Sequence, residues 1–112
     1  MVFSSVLVPV DDMEAAVRFL SDVLGMEPRF QDGARYAAFP SGAVGLAFLG
    51  GEERIVSEPS LGVQVDDLND VLSHWCIKGA EIVRKSEIGP HELRAVVRIP
   101  GGLLLTLSQK LS

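Results

Sequence analysis

The chain is 112 residues long, with 47% hydrophobic residues, 22% charged residues and a formal net charge of −5. These values are typical of one compact domain, and the acidic balance argues against a phosphate-backbone partner, which needs clustered lysine and arginine. No segment approaches the roughly 20 apolar residues of a membrane span or resembles a signal peptide. One cysteine excludes an internal disulfide framework. We therefore expect a cytoplasmic protein that binds neither nucleic acid nor membrane.

The first half of the chain predicts a strand, a helix and three short strands. Phe3–Val10 alternates between two faces and is followed by Asp11 or Asp12 as a helix cap. An apolar stripe at helical spacing then ends at Gly25. The stripe consists of Met13, Ala16, Val17, Leu20, Val23 and Leu24. The three strands are predicted over Met26–Gln31, Ala34–Phe39 and Val44–Leu49, with a hairpin turn at Asp32-Gly33.

The second half repeats this plan. A strand over Ser60–Val65 precedes a helix that ends before Gly79. The apolar stripe of this helix is Leu68, Val71, Leu72 and Trp75. The next three strands are predicted over Glu81–Lys85, Glu92–Ile99 and Leu103–Ser108. Only Gly50–Pro59 resembles a linker, so we expect a first module over residues 1–49, a linker over 50–59 and a second module over 60–112.

Two short motifs indicate that the halves are copies of one module. Val8-Pro9-Val10-Asp11-Asp12-Met13 returns 55 residues later as Val63-Gln64-Val65-Asp66-Asp67-Leu68. Phe39-Pro40-Ser41-Gly42 returns 60 residues later as Ile99-Pro100-Gly101-Gly102. Two matches at nearly one offset are typical of duplication. The predicted fold is therefore α+β, built from two tandem βαβββ modules, and the paired aspartates are helix-start residues without a catalytic role.

These modules resemble the vicinal oxygen chelate superfamily, which includes glyoxalase I, extradiol dioxygenases and the fosfomycin and bleomycin resistance proteins. The resemblance rests on Val10-Asp11-Asp12 at the helix start and Val23-Leu24-Gly25-Met26 at its exit. Pro100-Gly101-Gly102-Leu103 is similar to the family's turn before its last strand, although Ile99 replaces the usual Asp. The resemblance spans the whole chain. It implies that each module curls into half a barrel, with the helices outside, a cavity between the modules and a homodimeric assembly.

The resemblance also identifies the positions that hold metal in metal-dependent members, where the ligands are His, Glu or Gln on the first and last strand of each module. Here the first-strand positions are Ser5 and Ser60. The last-strand positions are Thr106 and Leu46, or Gly45 if the turn has slipped by one residue. Neutral hydroxyls are poor ligands for Zn, Ni, Mn or Fe. We therefore expect neither a metal nor another cofactor.

The histidines and the cysteine do not supply an obvious alternative site. His74 is expected on the solvent side of the second helix, and His91 lies in a turn that enters a strand. His91 is either an exposed turn residue or an acid or base at the lip of the cavity, because histidine titrates near neutrality. Cys76, beside Trp75, is predicted to be buried packing.

Strand alternation and the resemblance together predict the residues that line the cavity. One of Arg35 and Tyr36 faces inward, and Arg94 shares a face with Arg98. An inward arginine would offer a fork for a carboxylate or phenolate, whereas an outward one is a solvated strand residue. The candidate ligand-binding residues are Ser5, Leu7, Arg35, Tyr36, Ser60, Gln64, Arg94, Arg98, Leu104 and Thr106.

Two functions fit this pattern. The first is a metal-independent protein that holds a hydrophobic or aromatic small molecule, similar to the bleomycin resistance branch, although only Phe30, Tyr36 and Phe39 are candidates for stacking. The alternative is a metal-free acid–base enzyme, an isomerase, lyase or epoxide-opening enzyme, which would draw on Tyr36, His91, Glu92, Arg94 or Arg98. A metal-dependent glyoxalase or dioxygenase comes third because both need the metal.

Overall fold

A computed structural model describes residues 2–40 and 42–111. They form two compact units, of which one is Ser5–Pro59 and the other combines the second half of the chain with its first few residues. Each half of the chain contains one α-helix and four strands, so the predicted α+β class and the βαβββ order are confirmed. No helix of the described residues combines the length and hydropathy needed to cross a bilayer.

The first module contains one sheet with its helix. The elements are β1 (Val2–Pro9), α1 (Met13–Leu24), β2 (Phe30–Asp32), β3 (Tyr36–Phe39) and β4 (Gly45–Leu49). The strand order is β2-β3-β4-β1, with β1 parallel to β4 and the other pairs antiparallel. A short 3-10 helix over Gly51–Glu53 follows, within the segment predicted as a linker.

The second module repeats the arrangement with longer strands. Its elements are β5 (Ser60–Gln64), α2 (Leu68–Ile77), β6 (Glu81–Ile88), β7 (Glu92–Arg98) and β8 (Leu104–Lys110). The order β5-β8-β7-β6, with β5 parallel to β8, has the same pattern as the first sheet. The duplication inferred from the motifs is therefore present in the strand topology.

The start and end of α1 follow from its terminal residues. The Asp12 carboxylate accepts a hydrogen bond from the Ala15 backbone N–H at 3.0 Å, which satisfies one of the unpaired donors of the first turn. Gly25 ends the helix with φ of 66°, a left-handed conformation that glycine adopts without steric cost. The predicted apolar stripe was wrong at its end: Val23 and Leu24 are 59% and 61% exposed, because the core of this module takes residues only from the earlier turns.

Each helix packs on one face of its own sheet. In the first module the core consists of Met13, Ala37, Phe39 and Phe48, with Val8, Val10, Ala16, Val17, Leu20, Met26 and Leu46 around it. In the second it consists of Val63, Val65, Leu68, Leu72, Ala95, Val97, Leu105 and Leu107, with Leu61, Val71, Trp75, Leu93 and Ile99 around it. Cys76 is exposed, so its predicted burial was wrong, because the neighbouring Trp75 is the residue that turns toward the core.

Two predicted strand boundaries differ from the structure for local reasons. The strand expected over Met26–Gln31 is reduced to β2, because Met26 packs into the core and Pro28 has no N–H for a sheet ladder. The predicted hairpin turn forms at Gly33, with φ of 52°, but Asp32 pairs with Tyr36 and so encloses three residues. Arg35 consequently lies in this turn and not on a strand.

Candidate functional site

The face of the second module's sheet that lies opposite α2 carries many polar side chains. In the second module, strand register places these side chains side by side on one face, which we call the helix-opposite face. It carries Ser60, Gly62, Gln64, Glu81, Arg84, Glu87, Glu92, Arg94, Val96, Arg98, Leu104, Thr106, Ser108 and Lys110. Six of the ten predicted ligand-binding residues are in this set. The structure thus brings together Ser60, Gln64, Arg94, Arg98, Leu104 and Thr106.

A buried pair of hydroxyls lies on this face. The Oγ of Ser60 and the Oγ1 of Thr106 are 2.8 Å apart, and one donates a hydrogen bond to the other. Ser60 is 3% exposed and Thr106 is 5% exposed. The neighbouring side chains of Val96 and Leu104 are also buried. In these surroundings the two hydroxyls satisfy each other, as buried polar groups must.

Arg94 is the buried cation of the face, with only 6% of its surface exposed. Its Nε lies 3.5 Å from Oε1 of Glu87, the residue opposite it on β6. Its Nη1 lies 3.8 Å from Oε1 of Glu92. A methyl group at Gly89 would lie 2.9 Å from Cζ and Nε of Arg94, so the glycine makes room for the guanidinium. Burial, two carboxylates and this close contact hold Arg94 in position.

Glu87 is shared between two arginines. Its Oε1 accepts a hydrogen bond of 2.5 Å from Nε of Arg84, in addition to its ion pair with Arg94. The hydrogen bond from Arg84 is the main reason that the pKa of Glu87 lies below its usual 4.5, and the charges of Arg84 and Arg94 act in the same direction. Glu87 is therefore an ionised acceptor at neutral pH.

Arg84 and Glu87 were not among the predicted site residues. They are three positions apart, and regular alternation would put them on opposite faces of β6. The register of β6 against β7 shifts between Ile82 and Arg84 and again between Arg84 and Glu87. These irregularities return both side chains to one face, and no feature of the sequence reports them.

The remaining predicted residues of the second module have different surroundings. Arg98 is half-buried, and its Nη1 donates a hydrogen bond of 2.8 Å to the carbonyl of Gly102 in the turn before β8. Leu104 is buried, whereas Gln64 is exposed. A shallow pocket of about 320 Å³ lies beside Gln64. Its lining is Val2, Gln64, Val65, Asp66, Ser108, Gln109 and Lys110.

The corresponding face of the first module is largely apolar. Register places Ser5 beside Gly45 and Leu7 beside Ala47, and both Ser5 and Leu7 are half-buried. Tyr36 is half-buried, and its ring centroid lies 6.2 Å from that of Phe30. Arg35 lies in the turn with an ion pair to Asp32 at 2.7 Å, so its predicted place on a strand wall was wrong.

The register also corrects one of the inferred metal positions. Thr106 pairs with Gly62 in the second module, and the equivalent pair in the first module is Ala47 with Leu7. The counterpart of Thr106 is thus Ala47, and neither Leu46, which packs against the helix, nor Gly45.

The resulting set of Ser5, Ala47, Ser60 and Thr106 offers no imidazole, carboxylate or thiolate, and does not fit the metal of metal-dependent relatives. Within residues 2–40 and 42–111, no group of three or more His, Cys, Asp or Glu side chains could hold a metal ion.

The two histidines lie on the surface of the second module. His91 is exposed in the bend between β6 and β7. His74 is exposed on α2, as predicted, and its Nδ1 lies 3.0 Å from the carbonyl oxygen of Asp70, one helical turn earlier.

Comparison with known proteins gives consistent results. A family model described as "Glyoxalase/Bleomycin resistance protein/Dioxygenase superfamily" matches residues 2–101. No curated protein sequence matches the chain.

Among solved structures, one called an NAD-dependent benzaldehyde dehydrogenase from Legionella pneumophila has a TM-score of 0.79 at 18% identity, covering 95% of this chain and 97% of that one. A superfamily member from Vibrio splendidus 12B01 has a TM-score of 0.70 at 18% identity, over 95% and 97%. Streptomyces coelicolor methylmalonyl-CoA epimerase has a TM-score of 0.71 at 16% identity, over 100% and 96%. At these identities the likeness is one of fold.

Proposed function

This chain belongs to the glyoxalase/bleomycin resistance protein/dioxygenase superfamily, and we propose that it is a metal-independent member that holds a hydrophobic or aromatic small molecule. The observation that carries the proposal is the pair of Ser60 and Thr106. These residues stand where metal-dependent members are expected to hold ligands, yet their hydroxyls are buried and bonded to each other at 2.8 Å. Such a pair supplies neutral donors and acceptors to a ligand and lacks the charge that a transition metal needs.

The character of both helix-opposite faces supports a largely apolar ligand. In the first module, the half-buried Leu7 and Tyr36 offer aliphatic and aromatic surface. In the second, Val96 and Leu104 flank the hydroxyl pair. Few but well-placed polar groups among apolar side chains are typical of small-molecule sites. The remaining predicted ligand-binding residues belong to the same proposal.

A thermal-shift screen tests the proposal directly. Purified protein would be screened against aromatic natural products and metabolites, with and without added Ni, Zn and Mn. A ligand that binds only the folded state raises the Tm by mass action. We expect a shift that is independent of metal, with the compound recovered unchanged by mass spectrometry. Stoichiometric transition metal retained after dialysis would contradict the proposal.

A variant pair locates the binding site. Thr106→Leu fills the space beside Ser60 with apolar volume and removes the hydroxyl pair, so we expect the ligand-induced shift to be lost. Ser86→Ala, on an exposed position of β6, is the matched control and should keep the full shift. A shift that survives Thr106→Leu unchanged would place binding elsewhere on the protein.

The proposal includes a cytoplasmic homodimer as the working form. Light scattering at micromolar concentration measures the mass directly, and a monomeric mass would remove the dimer from the proposal without affecting the binding site.

The alternative, a metal-free acid–base enzyme, is favoured by the carboxylate of Glu92, which is only half-buried on the same face. It ranks second because the neighbouring Arg84 and Arg94 stabilise the ionised form of Glu87 and weaken this carboxylate as a base. A compound that raises the Tm and is then consumed would reverse this ranking.

A further inference from the structure

We infer that Glu87 and Glu92 determine specificity by neutralising Arg94, so that the site selects an uncharged ligand over an anionic one. The inference rests on the proposed function and adds the charge class of its ligand. It changes the expectation drawn from the sequence, in which an inward arginine would bind a carboxylate or phenolate.

The carboxylates of Glu87 and Glu92 lie close to Arg94. Arg94 is the buried cation of this face, two positions along β7 from Val96, which pairs with Thr106, and its register partners on the two neighbouring strands are Glu87 and Ser108. Glu87 lies 3.5 Å and Glu92 lies 3.8 Å from its guanidinium nitrogens. A ligand anion that approached Arg94 would therefore also meet two carboxylates at almost the same distance from the cation.

The charged groups around Arg94 balance one another. Arg84 and Arg94 contribute two positive charges, and Glu87 and Glu92 contribute two negative charges, so the four groups sum to zero. Arg98, further along β7, lies opposite Glu81 in the register, so the charges of these two residues also cancel. Lys110, exposed at the end of β8 opposite Glu92, adds one positive charge at the edge of the face.

An anionic ligand and an uncharged ligand differ in their need for a charge partner. A buried anion is stable only with a charge partner, and here the partner is already occupied by carboxylates that are part of the protein. An uncharged ligand needs no counter-charge and leaves the cluster intact. Removing the two carboxylates would unmask Arg94 and convert the site into one that attracts anions.

Two dyes that differ by one group test the inference. N-phenyl-1-naphthylamine is uncharged, and 8-anilinonaphthalene-1-sulfonate is the same skeleton with a sulfonate; both fluoresce on entering an apolar site. For the wild type we expect a Kd at least about tenfold lower for the uncharged dye. In Glu87→Gln/Glu92→Gln we expect the affinity for the sulfonate to rise about tenfold, and that for the uncharged dye to stay within about twofold.

A matched variant separates local from overall charge. Glu14→Gln/Glu27→Gln removes the same number of carboxylates from exposed positions of the first module and should leave the ratio of the two affinities unchanged. If the double variant of the site does not fold, as judged by circular dichroism, Glu92→Gln alone should move the ratio in the same direction. A wild type that prefers the sulfonate, or a ratio unmoved by the folded site variant, overturns the inference while leaving the proposed function intact. A wild type that binds neither dye, and none of the screened compounds, contradicts the proposed function itself.

Discussion

The hydroxyl pair of Ser60 and Thr106 should behave as one energetic unit. Ser60→Ala or Thr106→Val removes one partner and leaves the other buried without its hydrogen bond. An unsatisfied buried hydroxyl costs about 1–3 kcal/mol, so each single variant should lose about that much stability. The double variant removes both groups together and should lose much less than the sum of the two. We expect a coupling energy of about 1–2 kcal/mol.

Urea denaturation of the four proteins measures this coupling. With an m-value of about 2 kcal/mol/M, a loss of about 2 kcal/mol moves the midpoint by about 1 M. Ser86→Ala, at an exposed position of β6, is the control and should stay within about 0.5 kcal/mol of the wild type. If the stability losses of the two single variants add in the double variant, with a coupling energy below about 0.3 kcal/mol, the two hydroxyls do not satisfy each other.

Three further predictions follow from burial, close approach and charge. Leu68→Ala, at a fully buried position of α2, should cost about 2–5 kcal/mol in urea denaturation, whereas Ile77→Ala, 81% exposed on the same helix, should stay within about 0.5 kcal/mol. Gly50→Ala should cost more than about 2 kcal/mol, because the new methyl would lie 2.2 Å from the backbone oxygen of Ala34; a normal melting curve would contradict this. Because the folded-state pKa of Glu87 is lowered below 4.5, its contribution to stability is present above that pH and lost below it. The stability of Glu87→Gln relative to wild type should therefore rise as the pH falls through the acid range, and a constant difference from neutral pH to pH about 3 would exclude the effect.

The order of elements was predictable because it depends on local signals. The aspartate before each helix is the observed cap: Asp12 accepts from Ala15 and Asp67 from Asp70. The alternation of β1 was also predicted correctly, since Val8 and Val10 pack against the helix. Such patterns are determined by residues close in sequence.

The irregular parts of the site were not predictable. Regular alternation separates Arg84 from Glu87, and only the irregular register of β6 brings them to one face. The position of Arg35 was also not predictable. A turn of two residues would have placed Arg35 on a strand, but the observed turn has three residues and includes Arg35. Bulges and turn lengths are set by pairing between strands, which the order of residues along one strand does not report.

The turn motifs that indicated duplication also misaligned the site. Pro40 and Pro100 look equivalent in sequence, and counting from them makes Leu46 the counterpart of Thr106 in the first module. In the sheets, Ala47 pairs with Ala38, two residues before Pro40, whereas Thr106 pairs with Val96, four residues before Pro100. The same count from the two prolines therefore does not lead to equivalent strand residues. The strands retain the repeat more faithfully than the turns, because a turn can gain or lose a residue on the surface at little cost.

Strand register shows where the two modules have diverged. Tyr36 pairs with Leu49 at the position where Arg94 pairs with Ser108, and Ala47 stands where the second module has Thr106. The core residues that face the helices are apolar in both copies. Packing alone would have preserved both faces as apolar surface, since buried polar groups cost stability unless they are satisfied. The second module therefore differs from the first in the polar side chains of its helix-opposite face, which include the buried Ser60, Arg94 and Thr106.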